Sequence, residues 1–446
     1  MGGRMRRALA GLLVGVLGAA GLIAVSGVAS ASDTPHTVGP LTMQSVPNGR
    51  VADVDGGEMR DGRKIQEWTY NGSGAQRWRL RPAGTRYQIE AVTDPAFCLG
   101  RERDGELARV LLRRCGDGMT SWDFQALGGE RYRITNPAGD LHLHVWNEVP
   151  TNGRELVVSA NDGAGAQWYL TDVAVPRRPM PADPRLDQLS FLVAHNAMAN
   201  SDEGFWGRFP NQSYRLRDQL SHGIRGLQLD AHVYRGEVRM CHGGCWGNER
   251  TLSDGLRDVV GYLNGNRDAV VTIFLEDYTS VDELRVAVER VPGLPALLFY
   301  PDRSGVRNHG WPRLSELVSS DRRLLIFSQR PGREGFGVMY DRDWTAENYW
   351  SLGSGGGALD CYSRWDEVPL PKEEPGFRRL HVMNHYRDIP TEWAASADNG
   401  AKLRDRVRDI CGPSARRKPN YVAVDFYQKP EGGATWELIR ELNTYW

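Results

Sequence analysis

Three short aromatic runs recur at nearly equal spacing: AQRWRL (75–80), SWDFQAL (121–127) and AQWYL (166–170). They place an aromatic at 78, 124 and 168, each followed within a few residues by leucine. A repeating unit of about 45 residues is one small motif that cannot bury its own apolar face. Three copies, rich in Gly, Trp and short β-like runs, predict a closed three-fold β structure over residues 38–172. Trp78, Phe124 and Trp168 are expected in its core.

The stretch TDVAVPRRPMPADPRLD (171–187) carries four prolines and reads as a linker, centred on residues 173–185. From 186 to 446 the pattern changes. The runs SFLVA (190–194), GLQLD (226–230), VRMC (238–241), AVVTIFLE (269–276), LLIFS (324–328), LHVMN (380–384) and YVAVDFY (421–427) read as strands. DGLRDVVGYLN (254–264), DELRVAVERV (282–291) and WELIRELNTYW (436–446) have helical spacing. Strands alternating with helices predict a parallel sheet, and the length suits one α/β barrel. The loops are long and irregular, so a distorted TIM-like barrel is expected, with its eighth strand at ALLFY (296–300).

Arg4, Arg6 and Arg7, the apolar run ALAGLLVGVLGAAGLIAV and Ala29-Ser30-Ala31 together read as a signal peptide over 1–31. The expectation is a secreted chain. The sequence holds 55 basic and 56 acidic side chains, so losing three arginines leaves the mature chain slightly acidic. That argues against nucleic acid as a partner, because a phosphate backbone selects basic faces. Six cysteines in an oxidising compartment predict disulfides, and local pairing favours Cys98–Cys115, Cys241–Cys245 and Cys361–Cys411. The segment CHGGC (241–245) could also be read as a metal site, although export favours the disulfide.

In α/β barrels the chemistry gathers at the C-terminal ends of the strands. His195 and Asn196 follow the first predicted strand, Gln228 and Asp230 close the second, and His242 follows the third. Glu276 and Asp277 close the next; Arg330 follows LLIFS, and Asn384 and His385 end LHVMN. Two histidines suit base and acid roles near neutral pH. Amide and carboxylate oxygens suit a hard cation such as Ca²⁺. No G-x-S-x-G or H-E-x-x-H motif is present, and LGSGGG (352–357) does not match a P-loop. The set fits phosphodiester cleavage without a protein nucleophile.

Two family resemblances sharpen these expectations. IQEWTYNGSGAQRW (65–78) resembles the ricin-type lectin repeat, with its Q-x-W signature at Gln76-Arg77-Trp78. That resemblance implies a β-trefoil, a glycan ligand, and sugar contacts from Asp53, Trp68, Asn71 and Gln76. Cys98 and Cys115 resemble the family's intra-repeat disulfide. The second repeat departs from the pattern at Gly100 and Arg113, and the third at His144 and Val158-Ser159.

VAHN (193–196), GIRGLQLDAHV (223–233), MCHG (240–243), VVTIFLED (270–277) and YVAVDFY (421–427) resemble the X region of phosphatidylinositol-specific phospholipase C. This implies that His195 takes the proton of the inositol 2-hydroxyl and that His242 protonates the leaving diacylglycerol. It implies one Ca²⁺ held by Asn196, Asp230 and Glu276, with Gln228 in place of the usual glutamate. A monomer acting on phospholipid at a membrane surface is expected. Arg330, His385 and Tyr427 are expected, from position alone, to line the headgroup pocket. EGFWGRFP (203–210) offers Phe205, Trp206 and Phe209 to a lipid interface. The same residues suit another phosphodiesterase acting on glycerophosphodiesters or sphingolipids. Gln228 also keeps open a carbohydrate-binding protein with an inactive barrel.

Overall fold

A computed structural model describes residue 35 and residues 39–446, apart from 117, 138, 173, 174, 176 and 206–208. The signal-peptide segment 1–31 and Trp206 lie outside the described residues.

The N-terminal part is a twelve-stranded antiparallel structure. Its three four-stranded units open at Leu41–Ser45, Arg86–Ala91 and Arg131–Asn136, at the 45-residue period of the sequence. One tryptophan per unit is fully buried: Trp78, Trp122 and Trp168. Each indole N–H donates to a backbone carbonyl, of Ala52 (3.1 Å), Leu99 (2.8 Å) and Leu143 (2.9 Å) respectively. Trp122, rather than the expected Phe124, is therefore the repeat's equivalent residue. Phe124 is also buried and packs edge-on against Tyr87. Burying the indole and satisfying its N–H together explain why a tryptophan recurs there. The result is a β-trefoil.

The C-terminal part has eight parallel strands: β1 (Phe191–Ala194), β2 (Gly226–Tyr234), β3 (Val271–Tyr278), β4 (Leu324–Ser328), β5 (Val338–Tyr340), β6 (Thr345–Glu347), β7 (Leu380–His385) and β8 (Tyr421–Val424). They lie in the order β5-β4-β3-β2-β1-β8-β7-β6. The sheet curls into an incomplete barrel whose seam falls between β5 and β6, bridged by the short helix Asp341–Trp344. Two sequence expectations change here. Glu237–Met240 is an antiparallel hairpin arm on β2, not a barrel strand. Residues 296 and 297 of the expected eighth strand end a helical turn, Leu294–Leu297, and Leu298 only bridges Leu324. The predicted helices stand at Leu252–Gly265, Val281–Glu289 and Ala434–Leu442. The second begins with a capping box between Ser280 and Glu283.

Successive strand residues point to opposite faces. Val193, Phe327, Met339, Val382, Tyr421 and Ala423 share the cluster that fills the barrel interior. Leu192, Leu229, Ile273, Ile326, Met383 and Val424 share the cluster packed against the outer helices. Thr272, bonded to Tyr421 Oη at 2.8 Å, and Phe274, edge-on to the Tyr421 ring, complete an apolar floor under the barrel's C-terminal mouth. All three expected disulfides are present.

Candidate active site

The inward face continues one residue beyond several strands, and this parity decides which polar groups meet. His195, Gln228, Asp230, Glu276 and Tyr386 line one small cavity above Phe274 and Phe327, of about 40 Å³. Asn196, Asp341, Glu347 and Arg364 line it as well.

His195 is the best-supported group. Its Nδ1 lies 2.8 Å from Asp425 Oδ1, and its ring stacks on Tyr386 with centroids 3.4 Å apart and planes 5° from parallel. The carboxylate accepts the Nδ1 proton, so Nε2 is the basic nitrogen left for a substrate. Asn211 Nδ2 donates to the same Asp425 oxygen at 2.8 Å, and Gln212 Nε2 bridges the carbonyls of His195 (2.8 Å) and Val424 (3.0 Å). Strand register sets the pair side by side, since Ala194 faces Val424 on neighbouring β1 and β8. Each partner is followed by a residue with left-handed backbone, Asn196 at φ 41° and Phe426 at φ 40°. Such strained residues gather where a site must be held in one geometry.

His242 follows the hairpin arm and is not among the residues that line this cavity. The hairpin arm ends at Met240, opposite Ala231, and the Cys241 N–H donates to Asp230 O at 3.2 Å. The Cys241–Cys245 disulfide then closes a ring around His242. Burial, and next the charge of His195, push the His242 pKa below its usual value, while Asp425 and Glu276 raise it.

Asp230 and Glu276 are register partners on β2 and β3. Burial, and next the Glu276 charge, hold the Asp230 carboxyl well above the usual range. Gln228 Nε2 donates to Asn384 Oδ1 at 3.0 Å, while its Oε1 is buried with no hydrogen-bond partner. Among the described residues no group of three His, Cys, Asp or Glu is placed to hold a metal ion. Two crowded carboxyl groups beside an unused amide oxygen are hard oxygen donors, the chemistry that suits a cation such as Ca²⁺.

Several expected residues stand elsewhere, and parity explains most of them. His385 points outward. It is fully buried, faces Asp398 O and Arg406, and burial drives its pKa down to about 3. Its neighbour Tyr386 is the residue that faces the mouth. Tyr427 lies past the turn at Phe426, buried with its hydroxyl 2.8 Å from His222 Nδ1. Arg330 donates to the Thr279 carbonyl and does not line the cavity. Asp277 is buried outside the barrel, paired with Arg333 and bonded to Ser328 and Thr279. Phe205 is buried, while Phe209 is 61% exposed.

In the trefoil, Asp53 Oδ1 accepts from Gln66 Nε2 at 3.0 Å, and Trp68 is half-buried beside them on the neighbouring strand. Gln76 is fully buried, accepting from the Asn71 N–H and donating to Thr69 O. Its side chain braces the segment from Thr69 to Asn71. Asn71 Oδ1 accepts from the Ser73 N–H, which leaves its amide nitrogen for a ligand.

Sequence reading gave no role to Asp425, Asn211, Tyr386, Glu347 or Arg364. Asp425 carried a usable signal, because it follows its apolar strand just as His195 follows FLVA.

Known families match both parts. The PI-PLC X model matches residues 185–439, more than half of the chain. The ricin-type beta-trefoil lectin domain-like model matches residues 33–110. A PI-PLC X domain-containing protein of Arabidopsis thaliana is 27% identical over 268 residues, 58% of this chain and 62% of that protein. PI-PLC X domain-containing protein 1 of Arthroderma benhamiae is 26% identical over 285 residues, 57% of this chain and 85% of that protein. An uncharacterized secreted protein of the same fungus is 24% identical over 254 residues, 52% of this chain and 56% of that protein. The chain thus spans less than two thirds of the length of two of these relatives. With the X-domain model matched across most of its barrel and its paired histidine at the barrel mouth, this chain belongs to the PI-PLC X domain family.

Proposed function

We propose that the protein is a secreted phosphodiesterase that cleaves phosphatidylinositol to diacylglycerol and a cyclic inositol phosphate. The observation that carries this reading is the His195–Asp425 pair at 2.8 Å, set in a cavity shared with Asp230 and Glu276, with His242 one residue past the Cys241 N–H that bonds to Asp230 O. His195 Nε2 takes the proton of the inositol 2-hydroxyl, whose oxygen attacks phosphorus. Asp425 balances the charge that forms on the imidazole. His242 donates a proton to the departing diacylglycerol oxygen. Asn196, Gln228, Asp230 and Glu276 would hold one Ca²⁺, which supplies charge neutralisation at phosphorus and a lowered hydroxyl pKa. Gln228 would contribute an oxygen without a charge, so affinity for the ion should be weaker than with the usual glutamate.

Export is supported by the basic and apolar N-terminus, by three disulfides, and by the relative named as secreted. No helix among the described residues is long and apolar enough to cross a membrane. Contact with a lipid surface is supported by large exposed apolar side chains: Phe209 after β1, Trp246 in the His242 loop, Ile389 after β7, and Trp393 in the helix Glu392–Asp398 that follows it. The deciding assay is a panel of vesicles differing only in headgroup. Phosphatidylinositol vesicles should release diacylglycerol, and a chelator should slow release at least about tenfold, as expected when a cation neutralises charge at phosphorus. Release from every vesicle except the inositol lipid would overturn the substrate assignment, and unchanged release with chelator would overturn the calcium assignment.

The trefoil reads as a glycan-binding module with one site, at Asp53, Trp68 and Asn71. A flat indole accepts a sugar's C–H face, and the carboxylate accepts its hydroxyls. Burial raises Asp53 to about 6. Only the ionised form is a pure acceptor, so glycan binding should weaken as pH falls below that value. Asp53→Ala should abolish binding on a glycan array, and retained binding would place the ligand elsewhere.

A further inference from the structure

Arg364 is the one arginine or lysine lining the barrel-mouth cavity among the described residues. It shares that cavity with four carboxylates, Asp230, Glu276, Asp341 and Glu347. A phosphodiester is itself an anion. Glu276 and Glu347 alone outnumber the single guanidinium, so the mouth takes such an anion only where that cation faces the phosphate.

The loop after β6 presents Arg364 in a held position. Its backbone N–H donates to Glu347 O at 2.8 Å, and Nη1 donates to Glu347 Oε1 at 3.0 Å. Nη2 stands 3.9 Å from Glu276 Oε2, too far for a hydrogen bond. The guanidinium packs over the Trp365 ring at 4.8 Å, and the side chain keeps 17% of its surface exposed. A guanidinium has five N–H donors in a rigid fork, and Glu347 engages one edge of it. Just before Arg364 the loop is anchored by the Cys361–Cys411 disulfide, by Ser414 Oγ on the Cys361 carbonyl, and by Thr69 of the trefoil on Asp360 Oδ2 at 3.0 Å. Three independent attachments on so short a stretch hold the cation against the cavity wall and not in solvent.

We propose that Arg364 is a phosphate-binding cation that the chain itself supplies beside the metal site, its free edge donating to a phosphoryl oxygen of the substrate. Glu347 orients the fork, and Glu276 sits close enough to steady the charge without consuming the donors. The inference rests on the phosphodiesterase reading for the identity of the substrate, but phosphate recognition can be measured without catalysis.

The test is calorimetric titration of the full chain with inorganic phosphate, with a chelator present so that no bound cation contributes. Wild type should bind. Arg364→Gln should bind at least about tenfold more weakly, and Arg364→Lys about threefold more weakly, because lysine keeps the charge and loses the fork. Arg330→Gln, away from the cavity, should bind as wild type. Absence of phosphate binding by wild type overturns the proposal, and so does full affinity in Arg364→Gln. Should thermal melting show that Arg364→Gln fails to fold, Arg364→Lys decides, and full affinity there overturns it. A wild type that binds phosphate yet cleaves no phosphodiester would sink the enzymatic reading and leave the phosphate site standing.

Discussion

Alanine at His195 or at His242 should lower phosphodiester cleavage by about 10²–10⁴-fold, the range expected for loss of one general acid or base. The two substitutions act on different protons. His195→Ala removes the acceptor for the attacking hydroxyl, and His242→Ala removes the donor for the leaving oxygen. Because both protons move in one displacement, the double variant should be little worse than either single one. A substrate with a good leaving group, which departs without protonation, should restore much of the rate to His242→Ala and none to His195→Ala. Steady-state rates on phosphatidylinositol vesicles check the first expectation, and a nitrophenyl ester of inositol phosphate checks the second. Full activity in either single variant would remove that histidine from the mechanism.

Asp425→Asn should slow turnover about 10²–10⁴-fold while leaving substrate affinity nearly unchanged, since a neutral amide neither fixes the His195 tautomer nor balances the imidazolium. The carboxamide fits the same space, and Asn211 can still bond its oxygen, so the fold should survive. The pH profile offers a separate check on His242. Burial and the His195 charge lower its pKa. A general acid must be protonated to act, and lowering its pKa shrinks the protonated fraction at neutral pH. The wild-type rate should therefore fall as pH rises through the region just below an ordinary histidine. Asp425 raises the His242 pKa in wild type, so Asp425→Asn should move that limb to still lower pH. A limb that stays in place would separate His242 from the observed titration.

Much of this was legible because strand periodicity is binary. Once FLVA and LQLD are strands, parity alone sends His195, Gln228 and Asp230 to one face. The same rule, applied one residue off at the end of LHVMN, selects His385 over Tyr386, which stacks on the His195 ring. Tyr427 follows parity until the left-handed turn at Phe426 breaks it. The seam strands β5 and β6 have three residues each, too few for a period to show. Arg364 and Asn211 lie in loops, where no pattern links a residue to its partner across the fold. In the trefoil the repeat spacing was readable, but Trp122 and Phe124 are both buried on one strand. Only the indole hydrogen bond to Leu99 tells which is the repeat's residue.

The most direct measurement is the phosphorus NMR spectrum of phosphatidylinositol vesicles during incubation with the wild-type protein. A five-membered cyclic phosphodiester resonance should grow as the lipid signal decays, since a substrate hydroxyl and no protein group attacks phosphorus. Appearance of an acyclic inositol phosphate from the first turnover, with no cyclic signal at any time, would contradict the paired-histidine mechanism; an unchanged lipid signal would contradict the activity itself.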